Sequence, residues 1–295
     1  MLKNIFILLA FLILSFQGIP SLQAQTYQSQ KRGIFMYNVS LGFFTGGIGA
    51  LINKKKGDNA WKVFLKGSLQ GGMGGLINYQ AKNLTYQIVE KENYAYAWPA
   101  RLTQSIGSSI IENSAAGRNF WEGYHFSYGP LRLSLNSQQG YKPSLRIAAS
   151  ALVGFVAMST KGKLNLKYSL QSGAPFVVSD GPIYMFGNAF AGYVVGGTTA
   201  IDRNYLNDYE LIAHEFIHIH QYEDFIGINS FFDKPFKRWE ENSSFFKNLR
   251  KIVYLDPGAP LQGLVYFSLV RDGNYYRNWF EFEAEHFGTK RLVFR

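Results

Sequence analysis

Residues 210–225 read ELIAHEFIHIHQYEDF, and this stretch decides how the last third of the chain folds. Asn207 or Asp208 precedes it and can cap a helix by accepting a hydrogen bond from a backbone N–H of the first turn. Gly227 follows it, at a position where helices commonly end. The pattern therefore predicts a helix that runs to about Phe225.

The predicted helix contains the pattern His-Glu-x-x-His. Residues four apart share one face of a helix, so His214 and His218 can bind one cation at roughly 2.0–2.1 Å each. Glu215 lies one step around the helix, where its carboxylate can take a proton from a metal-bound water without binding the metal. The pattern predicts a metal site, and the alternative is an ordinary helix whose histidines are satisfied by neighbouring residues.

A metal site needs a third ligand, and Asp224 is the nearer of two candidate carboxylates. Asp224 would reach the metal if the helix broke after His218, but Gln221 stands where such a break favours glycine. If the helix continues, Asp224 lies too far along its axis to bind the same ion as His214.

The second candidate lies in RNWFEFEAEHFGTKR, residues 277–291, where we expect the last helix. Glu281 and Glu285 are four apart and share one face of that helix. Glu281 can supply the third metal bond, and Glu285 can accept the N–H of a ligand histidine. Glu283 lies on another face and is predicted to be solvated. We therefore favour Glu281 over Asp224.

HEFIH at residues 214–218, followed well downstream by EFEAE at residues 281–285, resembles the gluzincin metallopeptidases. In that family one helix carries His-Glu-x-x-His and a second helix carries a glutamate ligand. The resemblance covers residues 205–290 and implies a zincin-like fold there, with bound Zn²⁺. The implied roles are metal ligation by His214, His218 and Glu281, general base catalysis by Glu215, and support of a ligand by Glu285.

The part of the chain before this helix is rich in glycine and aromatic residues, and it contains several strand patterns. LRLSLN at 131–136 alternates leucine with polar residues, as a half-buried strand does. Further strand-like stretches are LRIAASALVGFVAM at 145–158, KLNLKYSL at 163–170 and APFVVS at 174–179. Strands are therefore expected from about residue 125 to residue 200.

Two earlier stretches carry different signals. LKGSLQGGMGGLINYQAKNL at residues 65–84 has small residues that let elements pack closely, as in membrane-associated helices. WPARLTQSIGSSIIENSAAG at residues 98–117 spaces Leu102, Ile106 and Ile110 four apart, which predicts a helix with one apolar face.

The predicted fold class is α+β, with a strand-rich N-terminal region followed by a zincin-like helical C-terminal part. The corresponding division is residues 25–204, of unknown role, and residues 205–295, which hold the metal-site helices. One integrated domain over residues 25–295 is the alternative.

The first 24 residues resemble a secretory signal peptide, because Lys3 is followed by the apolar run IFILLAFLILSF and by small residues. Cleavage is predicted after Ala24, and an uncleaved membrane anchor is the alternative. Export would place the protein in the periplasm, at the outer membrane or outside the cell. The chain has no cysteine, which excludes thiolate zinc ligands and a cysteine nucleophile.

The formal net charge of the chain is +10. A basic chain can bind nucleic acid, but its basic residues are scattered apart from Lys54, Lys55 and Lys56, and export argues against that partner. A negatively charged envelope surface fits the charge better, which allows a peripheral membrane association.

These observations support an exported, zinc-dependent metallohydrolase, most simply a peptidase that acts on peptides or proteins. The alternative is a non-catalytic envelope or outer-membrane-associated protein, structural or binding in role, whose histidine helix is structural.

Overall fold

A computed structural model describes residues 27–137, 140–185, 187–269 and 278–289. The predicted signal peptide at residues 1–24 lies outside these ranges. Within them, long helices come first, small sheets and short helices follow, and a second set of helices comes last. The chain is therefore mixed α+β, as predicted.

Helices and strands follow one another along the chain with short connections. The helices are α1 (Tyr27–Asn53), α2 (Ala60–Thr85), α3 (Gln87–Lys91), α4 (Ala97–Ala115), α5 (Ala149–Ser159), α6 (Leu166–Ser172), α7 (Tyr209–Asp224), α8 (Asp233–Asn242), α9 (Ser244–Ile252), α10 (Gly258–Leu269) and α11 (Trp279–Gly288). The strands are β1 (Gly123–Tyr128), β2 (Leu131–Asn136), β3 (Pro143–Ala148), β4 (Lys163–Leu164), β5 (Phe176–Ser179), β6 (Ile183–Met185), β7 (Asn188–Phe190), β8 (Gly192–Val195), β9 (Thr198–Asp202) and β10 (Val253–Tyr254).

Close packing of α1 on α2 depends on glycine. A Cβ placed on Gly42 would collide with the carbonyl oxygen of Gly71, and one placed on Gly71 would collide with the carbonyl oxygen of Gly42. Only residues without side chains allow two helix backbones to approach so closely. The small residues of this region therefore have the packing role that the sequence predicted. By length and composition α1 could cross a membrane, and half of its most apolar window is buried inside the protein.

The strands form three small sheets, in the orders β1-β2-β3-β10, β4-β5-β9-β8 and β6-β7. All but β10 lie between residues 123 and 202, which matches the range where the sequence patterns predict strands. The predicted strand-rich region, residues 25–204, also includes residues 27–115, and these are mainly helical.

Two of the predicted strand stretches are strand only at their beginnings. The apolar run after β3 becomes α5, because an uninterrupted apolar run does not distinguish a buried strand from a buried helix. The stretch after β4 becomes α6, because the Asn165 side chain caps that helix by accepting from the N–H of Tyr168. Gly173 ends α6 with a φ of 69°, in the left-handed region that glycine adopts at low cost.

The alternation in β2 is present, but its polar residue rather than its leucines faces the protein interior. Arg132 is 3% exposed, whereas Leu131 and Leu133 are more than 40% exposed. The reason is an ion pair, because Arg132 reaches Glu112 of α4 at 2.5 Å. A half-buried carboxylate on a neighbouring helix therefore decides which face of the strand turns inward.

Helix α7 is largely buried, and it positions the candidate site. Its first turn is capped by Asp208, which accepts from the N–H of Leu211 at 3.0 Å. The helix continues without a break to Asp224. Helix α11 packs against it, and a Cβ placed on Gly288 would lie 2.6 Å from the backbone of His214. This close contact brings the histidines of α7 next to Glu281 of α11.

Candidate metal centre

Helices α7 and α11 bring three potential ligand atoms to one point. The Nε2 atoms of His214 and His218 lie 3.2 Å apart, and Glu281 Oε2 lies 3.2 Å from the first and 3.4 Å from the second. His214 and Glu281 are buried, and His218 is half-buried. This group of three can hold a metal ion.

The separations match a tetrahedral site. Ligands held about 2.0–2.1 Å from a zinc ion at tetrahedral corners lie about 3.3–3.4 Å from one another. The three measured separations, 3.2, 3.2 and 3.4 Å, agree with that spacing. Two imidazole nitrogens that face each other at this distance need a cation or a proton between them. The separations are therefore compatible with a tetrahedral metal ion.

Gln221 decides which nitrogen of His218 is available. Its amide nitrogen donates to the carbonyl of Phe280 at 2.8 Å and to Glu283 at 2.9 Å. Its oxygen therefore faces His218 Nδ1 as an acceptor, at 2.8 Å. A protonated Nδ1 leaves the lone pair of His218 on Nε2, the atom that points at the other two ligands.

Glu281 is oriented by a tyrosine and by the two histidines. The hydroxyl of Tyr266 donates to Glu281 Oε1 at 2.6 Å, which leaves Oε2 to face the histidines. Burial opposes the charged form of Glu281, but His218 and His214 outweigh it and hold its pKa well below the usual range. Burial also opposes the charged form of His218, and Glu281 outweighs it and raises the pKa of His218 to about 9. The carboxylate thus attracts positive charge to this point.

Glu215 lies beside the three ligands without belonging to them. It is 5% exposed, and burial raises its pKa, although His218 and His214 partly oppose the shift. Its carboxylate lies against β8, where a Cβ on Gly192 would be 2.7 Å from Glu215 Oε1. A buried carboxylate with a raised pKa is suited to accept and return a proton.

The structure places Glu285 near His214 but not in hydrogen-bond contact with it. Glu285 Oε2 lies 3.7 Å from His214 Nδ1, and about half of its side chain is exposed. At this separation the contact between Glu285 and His214 is at most an ion pair, and it is not the hydrogen bond that the sequence predicted.

Asp224, the alternative third ligand, belongs to a different cluster. Lys82 of α2 places its Nζ 2.6 Å from Asp224, 2.9 Å from Glu283 and 2.8 Å from Asn38. Asn78 and Gln104 also donate to Asp224, each at 2.9 Å. Because α7 continues past Gln221, Asp224 turns towards α2 and not towards the histidines.

The prediction that Glu283 is solvated is wrong. Glu283 is fully buried and pairs with Lys82 and Gln221. It lies on a different face from Glu281, as predicted, but that face is covered by α2. Helix geometry alone assigns this acidic residue to solvent, because its partner lies 201 residues away along the chain.

Other polar residues of α7 lie away from the three ligands. The hydroxyl of Tyr222 donates to Asp256 at 2.8 Å, and His220 contacts Thr85 at 2.9 Å. Two residues without a predicted role do belong to the site, Gln221 and Tyr266. Gln221 could have been found, because a residue three positions after His218 shares its face. No spacing or motif in the sequence pointed to Tyr266.

Comparisons of the chain with protein-family models, with characterised proteins and with solved structures found no match. The interpretation of the site therefore depends on its geometry and chemistry.

Proposed function

We propose that the protein is an exported, zinc-dependent hydrolase, most simply a peptidase of the gluzincin type. The observation that carries the proposal is the convergence of His214, His218 and Glu281 with separations of 3.2–3.4 Å, beside the buried carboxylate of Glu215. When bound, zinc would polarise a substrate carbonyl and lower the pKa of water to about 7.

The residues of the chain supply the remaining chemistry. Glu215 takes the proton from the attacking water and returns it to the leaving amine, which its raised pKa favours. Tyr266 and Gln221 hold Glu281 and His218 in the orientation that ligation needs. Partial exposure of His218, at 16% of its side chain, gives the site access to solvent.

A peptide substrate is supported by the position of β8. This strand pairs with β9 on one side, and among the described residues no strand pairs with its other side. Glu215 lies against its first residue, since a Cβ placed on Gly192 would be 2.7 Å from Glu215 Oε1. An extended peptide that added to this edge would pass beside the general base, and strand addition is a common way to bind peptides.

The test compares Glu215→Gln with the wild-type protein, both loaded with zinc. Metal analysis should find one zinc per chain in each, because Glu215 is not a ligand. Hydrolysis of labelled, unfolded casein should fall by about 10²–10⁴-fold in the variant, because the proton acceptor is lost.

The matched control is Glu241→Gln, the same chemical change at an exposed position of α8. It should keep both zinc and activity. Unchanged hydrolysis in Glu215→Gln would refute the assigned base. Absence of zinc from the wild-type protein in zinc-replete medium would favour the non-catalytic envelope protein instead.

A further inference from the structure

A second pocket, of 460 Å³, lies away from the three ligands and is lined by none of them. It is bounded by the sheet β1-β2-β3, the end of α4 and helix α9, and its volume is in the range of small-molecule sites. Six cationic side chains and two carboxylates line it, an excess of four positive charges. The cationic residues are Arg118, Arg132, Arg146, Lys247, Arg250 and Lys251.

Both carboxylates of the pocket are already paired. Glu112 accepts from Arg132 at 2.5 Å, and Glu240 pairs with Arg250 at 2.7 Å. Across the part of the chain that the structure describes, no carboxylate lies within ion-pair distance of Arg118, Arg146 or Lys247. The protein therefore neutralises only part of the positive charge of the pocket.

Two of these arginines are held directly beside each other. Arg132 in β2 pairs across the strands with Arg146 in β3, and like charges in directly opposite positions destabilise a strand pair. Both guanidinium groups lie over the ring of Tyr254, at 4.0 and 5.0 Å from its centre. Burial lowers the pKa of Arg146, and Arg132 lowers it further. A bound anion would relieve this repulsion.

The hydrogen-bonding capacity of the same arginines is incompletely used. The Nε atoms of Arg118, Arg132 and Arg146 are buried and have no acceptor among the described residues. Leaving a buried donor unpaired costs free energy, so such a donor in a native fold often pairs with a bound water or ion. Planar guanidinium groups held in fixed positions match the oxygens of phosphate better than flexible ammonium groups do.

We propose that this pocket binds a small phosphate-bearing anion with two neighbouring phosphate groups or an equivalent charge. A single carboxylate would neutralise only one of the four excess positive charges. The pocket is also larger than a simple ion would fill. The ligand is either a free phosphorylated molecule or the phosphate headgroup of a lipid, since both present the same chemistry. The proposal is independent of hydrolysis at the metal centre.

Inorganic pyrophosphate is the probe, and isothermal titration calorimetry of the full chain measures its binding. The neutral chelator 1,10-phenanthroline is present, so that pyrophosphate does not bind through a metal held by the histidines. Arg146→Gln should weaken binding by about tenfold or more, which is the effect of losing one charge-assisted hydrogen bond. Lys247→Gln, at an exposed position of α9, should weaken it without any risk to folding.

The matched control is Lys163→Gln, which removes one positive charge from an exposed position of β4 in a different sheet. It should bind pyrophosphate as the wild-type protein does. No binding by the wild type, or equal binding by Lys247→Gln and Lys163→Gln, would overturn the proposal.

Vesicles distinguish the two sources of the phosphate group. Sedimentation with phosphatidylcholine vesicles that contain cardiolipin, whose headgroup has two phosphate groups, and release by pyrophosphate, would assign the pocket to a lipid headgroup. Pyrophosphate binding without sedimentation would assign it to a free phosphorylated molecule, and either result supports the pocket as a phosphate site.

Discussion

Two buried polar clusters share helices α7 and α11, and they differ in where their positive charge comes from. In one, Asp224 and Glu283 surround the ammonium group of Lys82, which the chain itself supplies. In the other, Glu281 faces His214 and His218, and no lysine or arginine pairs with it among the described residues. The first cluster has a cation that the chain itself supplies, whereas the second is suited to take a cation from outside.

One pair of helices thus carries both an ion-paired cluster and a cluster that could hold a metal ion. Gln221 connects them, since it contacts Glu283 on one side and His218 on the other. The Lys82 cluster thereby fixes the amide that orients a ligand. A rigid buried ion pair behind a metal site is a physical means of holding ligand geometry constant.

Lys82→Met removes the cation that pairs with Asp224 and Glu283, and it should have the largest effect on stability. Removing one partner of a buried ion pair leaves uncompensated carboxylates, so the free energy of unfolding should fall by about 3–5 kcal/mol. Urea denaturation of the variant measures this. Lys163→Met, the same change at an exposed position, should cost almost nothing. Equal midpoints for the two variants would contradict the structural role.

Zinc addition tests the other cluster. A ligand that binds only the folded state at a hundred times its dissociation constant stabilises it by about 2.7 kcal/mol. Wild-type protein should gain this stability on addition of zinc, and Glu281→Ala should not gain it. Thermal unfolding with and without zinc gives the comparison, and an equal gain in both proteins would exclude Glu281 as a ligand.

Gln221→Ala tests the connection between the clusters. Loss of the group that orients a ligand histidine typically lowers metal affinity by about 10–100-fold. Zinc titration against a competing chelator measures the affinity. Gln87→Ala, a change outside both clusters, should leave the zinc affinity at its wild-type value. An affinity in Gln221→Ala equal to that in the control would show that the amide does not orient His218.

Acidity should weaken zinc binding at the metal centre. Glu281 raises the pKa of His218 to about 9, so zinc must displace a proton at neutral pH. Zinc affinity should therefore fall as the pH is lowered below 9, by about tenfold per pH unit for each proton released. Calorimetry in buffers of different ionisation enthalpy counts the released protons. A zinc affinity independent of pH between 7 and 9 would contradict this exchange.

The local features of the metal motif could be read from the sequence because they depend on helix geometry alone. The four-residue spacing of His214 and His218 places them on one face in any regular helix. The four-residue spacing of Glu281 and Glu285 in the last helix likewise indicates Glu281 as the candidate third ligand. Helix geometry fails for Glu283, because it describes the faces of one helix and not what covers them.

The strand β2 shows the same limit. Its alternation is recognisable in the sequence, but the buried face carries Arg132 and the exposed face carries leucines. The choice between the two faces depends on Glu112 in α4, which is close to β2 only in the folded chain. Alternation predicts that two faces differ and does not predict which one is inside.

The sequence by itself determined the histidine helix, its motif and the pair of carboxylates available to complete it, because a period of 3.6 residues is a local property. Only the tertiary structure decided that Glu281 meets the histidines while Asp224 and Glu283 meet Lys82. These partners are far apart along the chain and become neighbours only when α2, α7 and α11 pack together. Burial then requires each carboxylate to find a positive charge, and the helix packing determines which one it finds.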